Sequence, residues 1–177
     1  MHYLIASLII LFSQVGAAKD LITLKEYLKS ELSSSAKMSK ETFPLSDEDK
    51  KGLALVVENF DDTSFTFYYG KTADGTLEKA CNVVNQKGKE GPITVGVCFS
   101  SVGMILSVVV LAHQEEHGKS IAEQTFLKQF KGKKMSDAFI VGKDIDGISG
   151  ATWSSKYMSE AIRKTSFAFK KFKGENK

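Results

Sequence analysis

The stretch Asp144-Ile145-Asp146-Gly147-Ile148-Ser149-Gly150-Ala151-Thr152-Trp153-Ser154-Ser155 gathers the residue types best suited to chemistry in this chain. Gly147 and Gly150 permit tight turns and let a ligand approach the backbone closely. The hydroxyls of Ser149, Thr152, Ser154 and Ser155 fall around an expected helix start, near Ser154 or Ser155. Unpaired amides and the helix dipole at such a start favour a phosphate. On physics alone the segment is either a phosphate-binding loop or a plain turn whose hydroxyls cap the helix. Of its two acids, Asp146 either orients the loop, is recognised by a modifying enzyme, or caps a turn. No set of residues for turning over a substrate is evident, which favours a carrier or binding module over a stand-alone enzyme.

The elements that must position this segment follow from periodicity. Ala138-Phe139-Ile140-Val141 before it reads as a short strand. The helix after it carries Met158, Ile162, Thr165, Phe169 and Phe172 as an inner stripe. Upstream, Ser120-Ile121-Ala122-Glu123 has the pattern of a capping box opening a helix with Phe126, Leu127 and Phe130. The middle of the chain predicts a meander of about four strands: Phe65–Tyr69, Leu77–Val84, Ile93–Phe99 and Met104–Leu111. The Ile93–Phe99 segment alternates like a half-buried strand, and Met104–Leu111 is apolar enough to be buried on both faces. Asp20–Leu32 predicts a helix capped by Asp20, and a second helix should start at Ser46-Asp47-Glu48-Asp49 and run to about Asn59. The expected class is α+β, one domain with helices covering a mostly antiparallel sheet.

With 177 residues, 2 prolines and a net charge of +3, the chain suits one globular domain and gives no argument for nucleic acid as a partner. Leu4 to Phe12 is an uncharged apolar run followed by Val15-Gly16-Ala17-Ala18, the pattern of a signal peptide cleaved after Ala17 or Ala18. The run is short for a retained span, which needs roughly 20 apolar residues. Residues 1–18 are therefore expected to direct export, followed by a helical segment (19–62), the main domain (63–172) and a short tail (173–177). Export would place Cys81 and Cys98 in an oxidising compartment. A hairpin folded about Gly88 sets Cys81 opposite Val95, with the two thiols on opposite faces, so a disulfide between them is not favoured. There is no CxxC pattern, so redox-motif and zinc chemistry are not indicated.

Asp146-Gly147-Ile148-Ser149-Gly150-Ala151-Thr152 resembles the flavinylation motif of the FMN-binding domain family. That family includes covalently flavinylated subunits of the sodium-pumping quinone reductase and the Rnf complex, and exported flavoproteins of extracellular electron transfer. The resemblance implies that Thr152 accepts FMN as a phosphoester. It also implies a magnesium-dependent flavin transferase that installs the group from FAD. Gly91-Pro92-Ile93-Thr94-Val95 is similar to the family's entry into its central strand, and His113-Gln114-Glu115 to its His-x-Glu. The family's Thr-Pro-Gly is here Glu116-His117-Gly118, which keeps only the glycine. Matching features span roughly Phe65 to Phe169.

The resemblance implies an exported electron carrier, periplasmic or extracytoplasmic, working with redox partner proteins, one of them membrane-bound. A non-covalent FMN-binding or storage module and a flavin-free structural domain are the alternatives. Beside Thr152, the loop residues Asp146, Gly147, Ser149, Gly150, Ala151, Ser154 and Ser155 are expected around the flavin phosphate. Trp153 either stacks on the ring or packs in the core. His113 and Glu115 either bond the flavin or serve as ordinary structural and surface residues, and a surface role is the plainer one for His117.

Overall fold

The computed structural model describes residues 19–116 and 119–175. The expected signal peptide, His117, Gly118 and the last two residues lie outside the described residues.

Six antiparallel strands form one sheet: β1 (Lys19–Asp20), β2 (Lys37–Pro44), β3 (Ser64–Lys71), β4 (Leu77–Lys87), β5 (Pro92–Ser100) and β6 (Ile105–His113). Their order is β1-β6-β5-β4-β3-β2, so β3 to β6 run as the expected meander. The helices are α1 (Leu24–Leu32), α2 (Asp47–Ala54), α3 (Gln124–Leu127) and α4 (Thr152–Glu175), which makes the protein α+β. The turn between β3 and β4 holds Gly75 at φ +91, a conformation that costs glycine least, and Asp74 accepts the Thr76 amide there.

One face of the sheet packs on α4. Phe169 lies over Phe99 with ring centroids 4.6 Å apart, and Phe172 over Phe67 at 4.7 Å. All four rings are buried, each contributing about 1.5–3 kcal/mol relative to exposure. Met158, Ile162 and Thr165 complete the stripe that the helical period predicts, and all are fully buried. The opposite face is covered by α1, where Tyr27, Leu32, Cys81, Cys98 and Leu111 form a second cluster. This cover buries Gly96 and Cys98 as well, so β5 is shielded on both faces rather than half-buried as its alternation suggests. Gly96 is required by the cover, because a Cβ there would stand 2.5 Å from the Tyr27 ring.

Several boundaries differ from expectation, each for a local reason. Cys81 and Cys98 are bonded, with Cα atoms 4.0 Å apart. The hairpin turns between Lys87 and Pro92, so its centre lies beyond Gly88 and Cys81 faces Cys98 instead of Val95. Asp20 pairs with Ala112 in the sheet, and Thr23 caps α1 with Glu26 closing the box. Ser46 and Asp49 cap α2 in the same way, but α2 ends at Ala54. There Arg163 Nε donates to the Val56 carbonyl at 2.7 Å and turns the chain away. Lys37–Pro44 pairs with β3 along its whole length, unannounced because one side chain within it, Phe43, is buried. The Ser120 box does not cap a helix: residues 119–122 form a 3-10 turn, and α3 starts after Glu123, which makes no side-chain cap. Ala138–Val141 is not a strand either. Phe139 takes φ 50, and Asp144 draws the Phe139 and Ile140 amides into a turn, leaving one bridge between Val141 and Ile145.

Candidate functional site

The loop before α4 is built from inside outward. The Asp144 carboxylate accepts the amides of Phe139, at 2.9 Å, and Ile140, with the Lys133 ammonium 4.0 Å away. Burial raises its carboxyl, but the two amides and Lys133 outweigh this and hold it below the usual range. The Gln129 side chain clamps the Asp146 backbone, accepting its amide at 2.7 Å and donating to its carbonyl at 3.2 Å. The Asp146 side chain itself is exposed. Neither Asp144 nor Gln129 stood out in the sequence, since their roles appear only once the loop closes.

Ser155 finishes the turn. Its buried hydroxyl accepts the Ile148 amide and donates to the Ala151 carbonyl, both at 3.0 Å. Ala151 is buried beneath it. Gly147, Ser149 and Gly150 face outward, and Gly150 has φ +76 with open space where a side chain would stand. Thr152 opens α4 two or three residues before its expected start, and it is exposed.

Glu115 is 2% exposed and acts as a brace. One oxygen accepts the Glu90 amide at 3.0 Å and the other accepts the Ser154 hydroxyl, joining three segments. The hydroxyls of Ser154 and Ser155 are thus used within the fold. His113 is buried at the end of β6. Trp153 is 55% exposed and does not pack in the core; it stacks on Tyr157 at 6.1 Å, with the Lys156 ammonium 5.5 Å from its ring.

Thr152 also lies at the rim of a groove of about 1010 Å³, lined by one side of α4, the 54–58 turn and the 135–141 loop. Its walls expose apolar side chains, with Leu55 at 87% and Ile140 at 44%. Arg163 holds the walls from below, through Nε to the Val56 carbonyl and Nη1 to the Phe139 carbonyl at 2.8 Å. Ser159 lines the groove too, and its buried hydroxyl has no hydrogen-bond partner. Glu160, on the side of α4 that faces β4, accepts from the Gln86 side-chain amide at 3.0 Å, and burial holds its carboxyl above the usual range against Lys156 and Arg163. His113, Glu115 and Trp153 do not line this groove, whereas Thr152 does.

The α+β domain thus presents an exposed hydroxyl on a glycine loop, at the start of a long helix and at the rim of a groove with apolar walls. Residues 88–166 match the FMN-binding domain family. Among solved structures, NqrC of Shewanella oneidensis superposes with a TM-score of 0.57 at 15% identity, over 79% of this chain and 84% of that one. A subunit of the Na+-translocating NADH-quinone reductase from Parabacteroides distasonis superposes with a TM-score of 0.53 at 20% identity, over 77% of this chain and 78% of that one. These likenesses bear on the fold. No curated protein sequence matches the chain.

The residues present fit FMN. The open space beside Gly150 has room for a phosphate, Thr152 offers a reachable hydroxyl, and the groove beyond offers apolar walls.

Proposed function

We propose that this chain is an exported flavoprotein that carries one FMN, bonded through its phosphate to Thr152, and relays electrons from a membrane-bound donor to a periplasmic or extracellular acceptor. The observation that carries this reading is the exposed Thr152 hydroxyl at the end of the Asp146-to-Thr152 motif, inside the stretch that matches the FMN-binding domain family. In the modification, the Thr152 oxygen bonds the FMN phosphorus of FAD, the pyrophosphate bond breaks, AMP leaves and the hydroxyl proton is lost. Thr152 lies between Ala151 and Trp153, neither of which is a base. A threonine hydroxyl needs activation, and a separate flavin transferase supplies it.

When bound, FMN supplies reversible electron transfer. The chain's own part would be to hold the phosphate at the start of α4, beside Thr152 and the open space at Gly150. The Cys81–Cys98 disulfide supports an oxidising compartment, as export requires. Among the described residues no helix is long and apolar enough to cross a membrane, so a membrane-bound donor enters this reading as a separate partner. That a subunit of the Na+-translocating NADH-quinone reductase shares the fold favours a partner of that kind.

Co-expression with a flavin transferase tests the assignment. Denatured protein on a gel is expected to fluoresce as flavin, and Thr152→Ala is expected to be dark while folding normally. Fluorescence that persists in Thr152→Ala would reject Thr152 as the acceptor. A yellow native protein whose denatured band is dark would select non-covalent binding.

A further inference from the structure

We propose that the turn between β5 and β6, together with the lysine-rich segment paired to it, is a docking surface for a membrane that contains anionic phospholipid. The surface goes beyond the flavin reading and does not depend on it.

A short set of backbone bonds assembles it. The Ile105 amide donates to the Lys133 carbonyl at 2.8 Å, the Gly132 amide to the Ile105 carbonyl at 2.9 Å, and the Met135 amide to the Gly103 carbonyl at 2.8 Å. Met104 bridges Lys134 as an antiparallel pair. Gly103 takes φ +85 in the turn, and Val102 stands at its tip. Val102 is 73% exposed and Met104 40%, so the tip offers apolar side chains to whatever meets it.

Positive charge surrounds this tip. Within residues 128–134, Lys128, Lys131, Lys133 and Lys134 are basic and none is acidic. Lys128, Lys131 and Lys134 are exposed, and none of the three forms an ion pair among the described residues. The acids beside the turn are engaged within the fold. Asp137 accepts the Lys134 amide at 2.9 Å, Asp144 accepts the Phe139 and Ile140 amides, and Glu78 accepts the Ser35 hydroxyl at 2.8 Å.

Bare apolar side chains beside unpaired ammonium groups fit the edge of a bilayer. Val102 and Met104 would enter the boundary of the acyl chains, while lysines on long stems keep their charges at the headgroup phosphates. A protein partner is usually gripped through tryptophan, tyrosine or arginine anchors. Residues 101–104 and 128–135 contain none of these, and the surface is a projecting turn.

Sedimentation of the exported chain with vesicles tests the surface. The chain is expected to sediment with mixed phosphatidylglycerol and phosphatidylcholine vesicles, to stay behind with phosphatidylcholine alone, and to be released as salt rises. Each lysine near an anionic surface strengthens binding about five-fold, so Lys131→Gln with Lys134→Gln is expected to weaken it about 25-fold. Lys25→Gln with Lys29→Gln removes the same charge from exposed positions of α1 and is expected to leave binding nearly unchanged. Val102→Ser keeps every charge and is expected to weaken binding several-fold. Equal binding to the two kinds of vesicle, equal losses in the two lysine pairs, or full binding by Val102→Ser would each overturn the proposal. Retention on polyglutamate through Lys131 and Lys134, with no binding to vesicles, would overturn it as well and assign the lysines to an acidic protein.

Discussion

Glu115 ties Glu90 and Ser154 together from the end of β6, 25 and 39 residues away in sequence. Removing it leaves two polar groups unmet, each costing about 1–3 kcal/mol when buried. Glu115→Ala is therefore expected to lower stability by roughly 2–4 kcal/mol in urea unfolding, and Glu115→Gln by less, since its amide oxygen can still accept one of the two bonds. Equal losses for the two variants would show that packing, and not hydrogen bonding, sets the brace. The contrast with Thr152 explains what single residues reveal in sequence. The Asp146-to-Thr152 motif is contiguous, so its spacing can be read directly. The partners of Glu115, Asp144 and Gln129 are defined by the closed loop, and nothing local marks them. Ser154 and Ser155 looked like phosphate ligands because they are small hydroxyls near a helix start. Their burial turns them inward, Ser155 to the loop and Ser154 to Glu115.

At the level of elements, alternation carried β3 to β6 and the helical stripe carried α4, because both patterns repeat along the chain. The failures fell where one residue shifts a register. A hairpin whose turn spans residues 88–91 pairs Cys81 with Cys98, whereas a turn centred on Gly88 does not. The disulfide lies in the cluster beneath α1, with the Tyr27 hydroxyl 3.1 Å from the Cys98 sulfur. The double substitution Cys81→Ala with Cys98→Ala is expected to cost about 2–4 kcal/mol. It should also speed hydrogen exchange in α1 more than in α4, because α1 packs against the bridge and α4 against the opposite face. Chemical unfolding and exchange mass spectrometry check this, and an even loss of protection across both helices would locate the effect in the unfolded chain alone. β2 escaped notice for another reason. An edge strand with one buried side chain needs no alternating pattern, and its partner β3 defines it.

At the scale of the whole molecule, α4 is laced to the segment preceding the meander. Lys156 reaches Glu58, Arg163 reaches Val56, Lys164 bonds Asp62 at 2.8 Å and Lys171 bonds Asp49 at 2.7 Å. That segment lies outside residues 88–166, yet it forms a wall of the groove, so the candidate site depends on a part of the chain that the family match does not cover. The Asp49 tie can be read through pH. Burial raises its carboxyl, but the bonds from Lys171 and from the Ser46 hydroxyl and amide together pull it below the usual range. A carboxyl lowered in the folded state adds stability above its unfolded value, near pH 4, and loses it as pH falls through the folded value. Asp49→Asn keeps an oxygen for the Ser46 cap and removes the charge facing Lys171. At pH 7 it is expected to cost on the order of 1–3 kcal/mol, as a charged hydrogen bond does. Below pH 4 the gap between the two proteins should close. Glu26, Asp74 and Asp144 are lowered as well, so both proteins will lose stability in acid, and the difference between their melting curves is the informative quantity. A gap that stays constant from pH 7 to well below 4 would mean that the ion pair with Lys171 contributes nothing, and that α2 is held to α4 by packing alone.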